Sequence, residues 1–204
     1  MDNMTDNSKV FNSKNDLWHE YINPEEGSIK WPDGIEEIPC EFFSGCTTLQ
    51  KVELPDSVKK IGARAFSGCT SLKEVSLPDV VTEISEQAFC GCSSLKSVKL
   101  PMNLKIICNG VFADCENMET ITLPESLICI EESAFAECEK LTSITIPASV
   151  KSIGKLAFHN CRSLKKLTML GKVSADDLAF AGCDKLNPKE SKMQVIEKGR
   201  DVWG

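Results

Sequence analysis

Cysteine is the richest source of reactive side chains in this chain: eleven are present, against two histidines, His19 and His159. Thiols in such number raise three chemistries, namely disulfide bridging, metal binding and nucleophilic or redox catalysis. An odd count cannot be wholly paired. The closest metal-like pairs, Cys90-x-Cys92 and His159-x-Cys161, lack the two-residue spacing of a C-x-x-C knuckle. Two histidines leave little for acid–base work near neutral pH. His159 occupies the slot held elsewhere by Ser67, Cys90, Ala113 and Ala136, so an exposed turn histidine is expected. His19 lies beside Trp18 and Tyr21 in an N-terminal segment that reads as a cap. The carboxylate pair Asp176-Asp177 reads as a solvated turn. Phosphate-loop, dinucleotide, zinc-protease and nucleophile-elbow signatures are all missing from the sequence. No catalytic residue, metal ligand or cofactor is therefore assigned, and an enzyme is not expected.

The placement of the thiols has a different logic. Cys46, Cys69, Cys92, Cys115, Cys138, Cys161 and Cys183 are separated by steps of 23, 23, 23, 23, 23 and 22. Phe43, Phe66, Phe89, Phe112, Phe135, Phe158 and Phe180 precede them by three residues throughout. Leu49, Leu72, Leu95, Met118, Leu141, Leu164 and Leu186 follow three residues later. The columns continue with Val52, Val75, Val98, Ile121, Ile144 and Leu167. A closing proline stands at Pro55, Pro78, Pro101, Pro124 and Pro147, with Leu170 breaking the series. A fixed period of this length is the signature of a stacked solenoid, because one such unit cannot bury its apolar face alone.

Within a unit, Leu72-Lys73-Glu74-Val75-Ser76-Leu77 alternates inward and outward side chains, as a half-buried strand does. Pro78 ends it, since proline cannot donate to a ladder. Val81-Thr82-Glu83-Ile84 predicts a second, shorter extended segment. Glu86-Gln87-Ala88-Phe89-Cys90-Gly91-Cys92 predicts one helical or 3₁₀ turn ending at the glycine. Gly62 and Gly154 suit corners with unusual dihedrals. Stacked coils carry equivalent Cβ atoms about 4.8 Å apart, beyond the usual 3.5–4.5 Å of a bridge, so the periodic cysteines are expected to be free core fillers.

The pattern I-x-x-x-A-F-x-x-C-x-x-L resembles the leucine-rich repeat of the BspA-like (Treponema pallidum-type) class, over residues 29–186. The resemblance implies an α/β solenoid, a right-handed coil of about seven 23-residue repeats. It would carry a parallel sheet on its concave face, with short strands and helical or 3₁₀ turns elsewhere. Proteins similar to it are often surface-displayed adhesion or host-interaction proteins in bacteria and protozoa.

Around that unit, residues 1–28 are expected to form a polar segment and N-cap, and residues 187–204 a C-terminal cap or tail. Trp18, Tyr21, Ile22, Ile29 and Trp31 are expected to plug the first coil, with a hydrophobic ligand pocket as the alternative. Met193-Gln194-Val195-Ile196 and Trp203 are candidates for covering the last one. A net charge of −7 argues against a nucleic-acid partner. No run of about 18 apolar residues predicts a membrane-spanning helix. The first 30 residues do not read as a secretory signal, which points to the cytoplasm for the sequence as it stands, or to the cell surface or outside if a leader was removed.

What remains for function is the outward strand face: Lys51 and Glu53, Glu74 and Ser76, Ser97 and Lys99, Thr120 and Thr122, Ser143 and Thr145, Lys166 and Thr168. These residues are the candidate contact set for a protein partner, charged in the early coils and hydroxyl-rich in the later ones. The strip has no Trp, Tyr or Arg, the usual anchors of tight interfaces, so polar binding is expected. The other expectation is an intracellular structural scaffold that self-associates through the solenoid ends.

Overall fold

A computed structural model describes residues 21–23, 27–31 and 33–186. Two families of parallel strands alternate along the chain. The longer ones follow each conserved leucine: β4 (Lys51–Glu53), β6 (Glu74–Ser76), β8 (Ser97–Lys99), β10 (Thr120–Thr122), β12 (Ser143–Ile146) and β14 (Lys166–Met169). The two-residue ones end at or near the next inward aliphatic residue: β3 (Glu37–Ile38), β5 (Lys60–Ile61), β7 (Glu83–Ile84), β9 (Ile106–Ile107), β11 (Cys129–Ile130), β13 (Ser152–Ile153) and β15 (Ser174–Ala175). Every pairing between coils is parallel and in register, as in Lys51↔Glu74, Val52↔Val75 and Glu53↔Ser76. Six longer strands make a solenoid of about six turns, one fewer than the cysteine column suggests. The seventh unit is a residue short, and the stretch after Leu186, where its longer strand would fall, lies outside the described residues.

The expected helical turns are not there; among the described residues the chain forms no helix. The segment ending at each cysteine is a hydrogen-bonded turn whose donors alternate between two destinations. In the second coil, Arg64, Phe66 and Gly68 donate to Glu86, Ala88 and Cys90 of the next coil, at 2.9, 2.8 and 2.7 Å. Ala65, Ser67 and Cys69 donate back to Gly62, Arg64 and Phe66 at 3.2, 3.0 and 3.2 Å. A helix would need all of these N–H groups to point along its own axis. Left-handed residues make the alternation: Arg64 has φ 56° and Gly68 has φ 72°. In later coils, Asp114, Glu137 and Asn160 hold the glycine position at φ 59°, 60° and 56°. Gly62 does not have the left-handed backbone expected of it. Its constraint is proximity, since a Cβ there would stand 2.6 Å from the Cys40 nitrogen.

The core is a set of straight columns. Adjacent phenyl rings from Phe43 to Phe180 lie 5.2–5.8 Å apart with planes within 13° of parallel. The cysteines run beside them. Each thiol from Cys69 to Cys183 donates to the carbonyl of the phenylalanine in the preceding coil at 3.1–3.3 Å. Cysteine is therefore more than a filler. It is small enough for a dry column and still supplies a weak donor to a buried carbonyl.

At the start of the stack, β1 (Ile22–Asn23) and β2 (Ser28–Ile29) form an antiparallel hairpin, with Ile22 opposite Ile29. Ile22 is buried, and Tyr21, Ile29 and Trp31 pack against the core. Trp31 meets Phe43 edge-on at 5.7 Å and donates its indole N–H to the Glu53 carbonyl at 2.5 Å. These four side chains cover the first coil. Trp18 and His19, and at the other end Met193-Gln194-Val195-Ile196 and Trp203, lie outside the described residues.

Candidate functional site

The pleat of the longer strands sorts their side chains. Val52, Val75, Val98, Ile121, Ile144 and Leu167 turn into the core, and the residues flanking them turn out. Ten of the twelve predicted contact residues are exposed; Lys51 and Thr168 are half-buried. Register then forms columns across coils: Ser97 beside Thr120, Lys99 beside Thr122, Ser143 beside Lys166 and Thr145 beside Thr168.

The early end of this face is an ion-pair patch. Lys51 Nζ lies 2.6 Å from Glu53 Oε1 and 3.9 Å from Glu74 Oε2. The hydrogen-bonded Glu53 carboxylate raises the Lys51 ammonium above its ordinary value. Being exposed and screened by salt, these pairs contribute little to stability. The later end is richer in hydroxyls, with Lys166 its one charged residue among the twelve from Thr120 onward.

Backbone pairing divides the face in a way the sequence pattern does not show. Ladders join β4 to β6, β8 to β10 and β12 to β14, leaving the β6/β8 and β10/β12 junctions without one. Lys73, Glu119 and Lys165 donate to Gln50, Lys96 and Thr142 of the preceding coil at 2.9 Å. At the equivalent places in the two open junctions, the N–H groups of Lys96 and Thr142 make no such bond among the described residues. The longest ladder, β12/β14, comes where Leu170 replaces the proline. Its freed N–H donates to the Ile146 carbonyl at 3.0 Å. Between β10 and β12 the open junction leaves a cleft of about 330 Å³, lined by the hydroxyls of Thr120, Thr122, Ser143 and Thr145 together with Ile121, Ile144 and Glu125.

The thiols are poorly suited to chemistry. All eleven are free, and the seven periodic ones are buried. Burial pushes the Cys69 thiol up to about 12 and the half-buried Cys108 up to about 11. Burial likewise raises Cys92, Cys115 and Cys138. A thiol held in its neutral form is a weak nucleophile and a weak metal ligand. Cys90 is half-buried with its sulfur 3.8 Å from Asp114 Oδ2, and Cys92 belongs to the core column. No group of three or more His, Cys, Asp or Glu is arranged to hold a metal among the described residues. His159 is half-buried rather than exposed, with Nδ1 3.1 Å from the Ala181 carbonyl. Asp176 and Asp177 are exposed, and Asp176 Oδ1 accepts the Leu178 N–H at 3.0 Å, a turn in solvent.

Parallel strands, a two-sided coil and leucine, phenylalanine and cysteine columns define a leucine-rich repeat solenoid. A model of the BspA type leucine rich repeat region matches residues 21–117 and 105–197, in six copies. The chain belongs to that family. Among solved structures it is similar to the leucine rich repeat protein of T. pallidum, with 33% identity and a TM-score of 0.74, over 83% of this chain and 87% of that one. It is also similar to a leucine-rich repeat protein from Bacteroides ovatus, with 30% identity and a TM-score of 0.57, over 82% of this chain and 54% of that one. Comparison with curated proteins returns no match.

Proposed function

We propose that the chain is a non-catalytic protein-binding module that docks its partner on the outward face of the longer strands. Solenoids of this class are generally non-catalytic. The observation that supports the reading is the in-register, exposed array from Lys51 and Glu53 to Lys166 and Thr168, which no other described segment covers. Small hydroxyls on a rigid scaffold form hydrogen bonds at low side-chain entropy cost, so the face suits a polar, extended contact. The test is a pull-down from native-host extract with Ser97→Arg and Thr168→Arg, set against Lys151→Glu on the short-strand side. Retention of the partner should fall at least tenfold with the first pair and hold with the control. Retention of every partner by both face variants would refute this site.

A further inference from the structure

We infer that the later half of the short-strand side is a second docking surface, for an amphipathic helix of a partner protein that carries two carboxylates one heptad apart with apolar side chains between them. The short strands form two sheets, β3-β5-β7 and β9-β11-β13-β15, and their outward residues differ in kind. On the first sheet the chain neutralises itself. Lys59 reaches Glu36 of the preceding coil at 2.9 Å, and Lys60 reaches Glu83 of the following coil at 3.2 Å. On the second, Lys105, Ile128 and Lys151 hold the column of Glu36 and Lys59 in three successive coils. The Ile128 N–H donates to the Lys105 carbonyl and the Lys151 N–H to the Ile128 carbonyl, both at 2.8 Å. Ile106, Cys129 and Ser152 stand beside them in register. No acid occupies either column from Lys105 to Ser152, and neither lysine takes part in an ion pair among the described residues. Ile106 and Ile128 are 41% and 46% exposed.

Spacing and charge together select the occupant. Coils rise about 4.8 Å each, so Lys105 and Lys151 stand about 9.6 Å apart with Ile128 midway. Residues one heptad apart on a helix are separated by about 10.5 Å, and the third and fourth residues after the first lie between them on the same face. An extended peptide would present same-side residues about every 6.7 Å, out of step with the coils. The middle coil sharpens the selection. Glu125 and Glu132 are exposed on either side of Ile128, and the half-buried Glu131 accepts the Asn109 N–H at 3.1 Å. Those carboxylates disfavour an acid opposite Ile128 and leave acids to the outer coils, where Lys155 adds a second exposed cation beside Lys151. Apolar residues in the middle of the helix then cover Ile128 and Ile106.

The probe is the peptide acetyl-Ala-Glu-Ala-Ala-Leu-Leu-Ala-Ala-Glu-Ala-Ala-Lys-amide, titrated into the full chain labelled with ¹⁵N. Its counterpart exchanges the glutamates and leucines, which keeps the composition and puts the acids in the middle. Saturable shifts are expected at the amides of Lys105, Ile106, Ile128 and Lys151, with the exchanged peptide at least about fivefold weaker. Lys105→Gln should weaken the first peptide by roughly threefold, as for an exposed charge pair, and Ile128→Asp by at least about tenfold. Ser97→Arg, on the long-strand face, should leave it unchanged. Absence of shifts, equal binding of the exchanged peptide, or unchanged affinity of Lys105→Gln would each overturn the inference. Shifts of the same amides by phosphatidylglycerol vesicles, with none from the peptide, would make this a lipid surface and also overturn it. The long-strand face is tested by Ser97→Arg and this surface by Lys105→Gln, so either can fail while the other stands.

Discussion

The two sides of each coil share one period and behave differently. On the turn side, the N–H groups from Phe43 to Phe158 all donate to the next coil at 2.7–3.0 Å, without a gap. On the strand side the longer strands pair two by two, with open junctions between the pairs. The short-strand sheet is also cut once, between β7 and β9. Composition accounts for the continuity of the turn side. The turn repeats the same small and aromatic residues around left-handed positions, so each coil presents an almost identical surface to the next. A proline deletes one donor at the end of five longer strands, but it does not sort the junctions, since β4, β6 and β8 share an inward valine and a closing proline and only β4/β6 forms a ladder. Backbone cohesion between coils is thus continuous on the turn side and interrupted on the strand side.

The contrast is open to several measurements. Phe112→Ala removes a ring buried between Phe89 and Phe135 and should cost about 3–5 kcal/mol in urea unfolding. Thr122→Ala, on the exposed face, should stay within about 0.5 kcal/mol of the parent. Equal losses for the two would contradict a turn-side core.

Alkaline pH probes the thiol column directly. The thiols of Cys69 and Cys108 are neutral in both states well below pH 9, and as pH rises only the unfolded chain ionises them until the folded values, about 12 and about 11, are approached. Stability is therefore full below pH 9 and falls above it, by about 1.4 kcal/mol per thiol at pH 10. An urea midpoint that stays flat from pH 8 to 10.5 would show those thiols to be accessible in the folded protein.

Hydrogen exchange addresses the strand side. Amides of Glu119 and Lys165 should exchange at least about tenfold more slowly than those of Lys96 and Thr142, given the usual free-energy difference for a backbone hydrogen bond. Matching rates would mean that the open junctions close in solution. The smallest effect concerns backbone strain. Leu156 has φ 56° at the slot where Gly110 has φ 59°. Leu156→Gly should change thermal stability by no more than about 1 kcal/mol, in the stabilising direction, by relieving a left-handed leucine.

Much of this architecture was readable from residue spacing. Phe66, Cys69, Leu72 and Val75 recur at one period, and each of those columns is buried in the structure up to the last coil, where Phe180 and Leu186 are half-buried. Glu74 and Ser76 flank an inward valine and are exposed. The turn was misread as helical because Glu86-Gln87-Ala88 favours helix locally, and the destination of each N–H depends on the neighbouring coil. The role of the thiols was half visible. Their burial followed from the period, but the carbonyl that each one meets belongs to a residue about 26 positions earlier.

By itself, the order of residues determined that the chain must stack, which side chains point inward, and which twelve polar residues share one strand face. Periodicity carries that information because side-chain direction is a local property of extended backbone. Only the tertiary structure decided that left-handed residues replace a helical turn, that cysteine donates to phenylalanine, and that the face opens between β10 and β12. Each depends on the distance between backbones a full coil apart, a quantity set by the sum of packing along the whole stack rather than by any one residue.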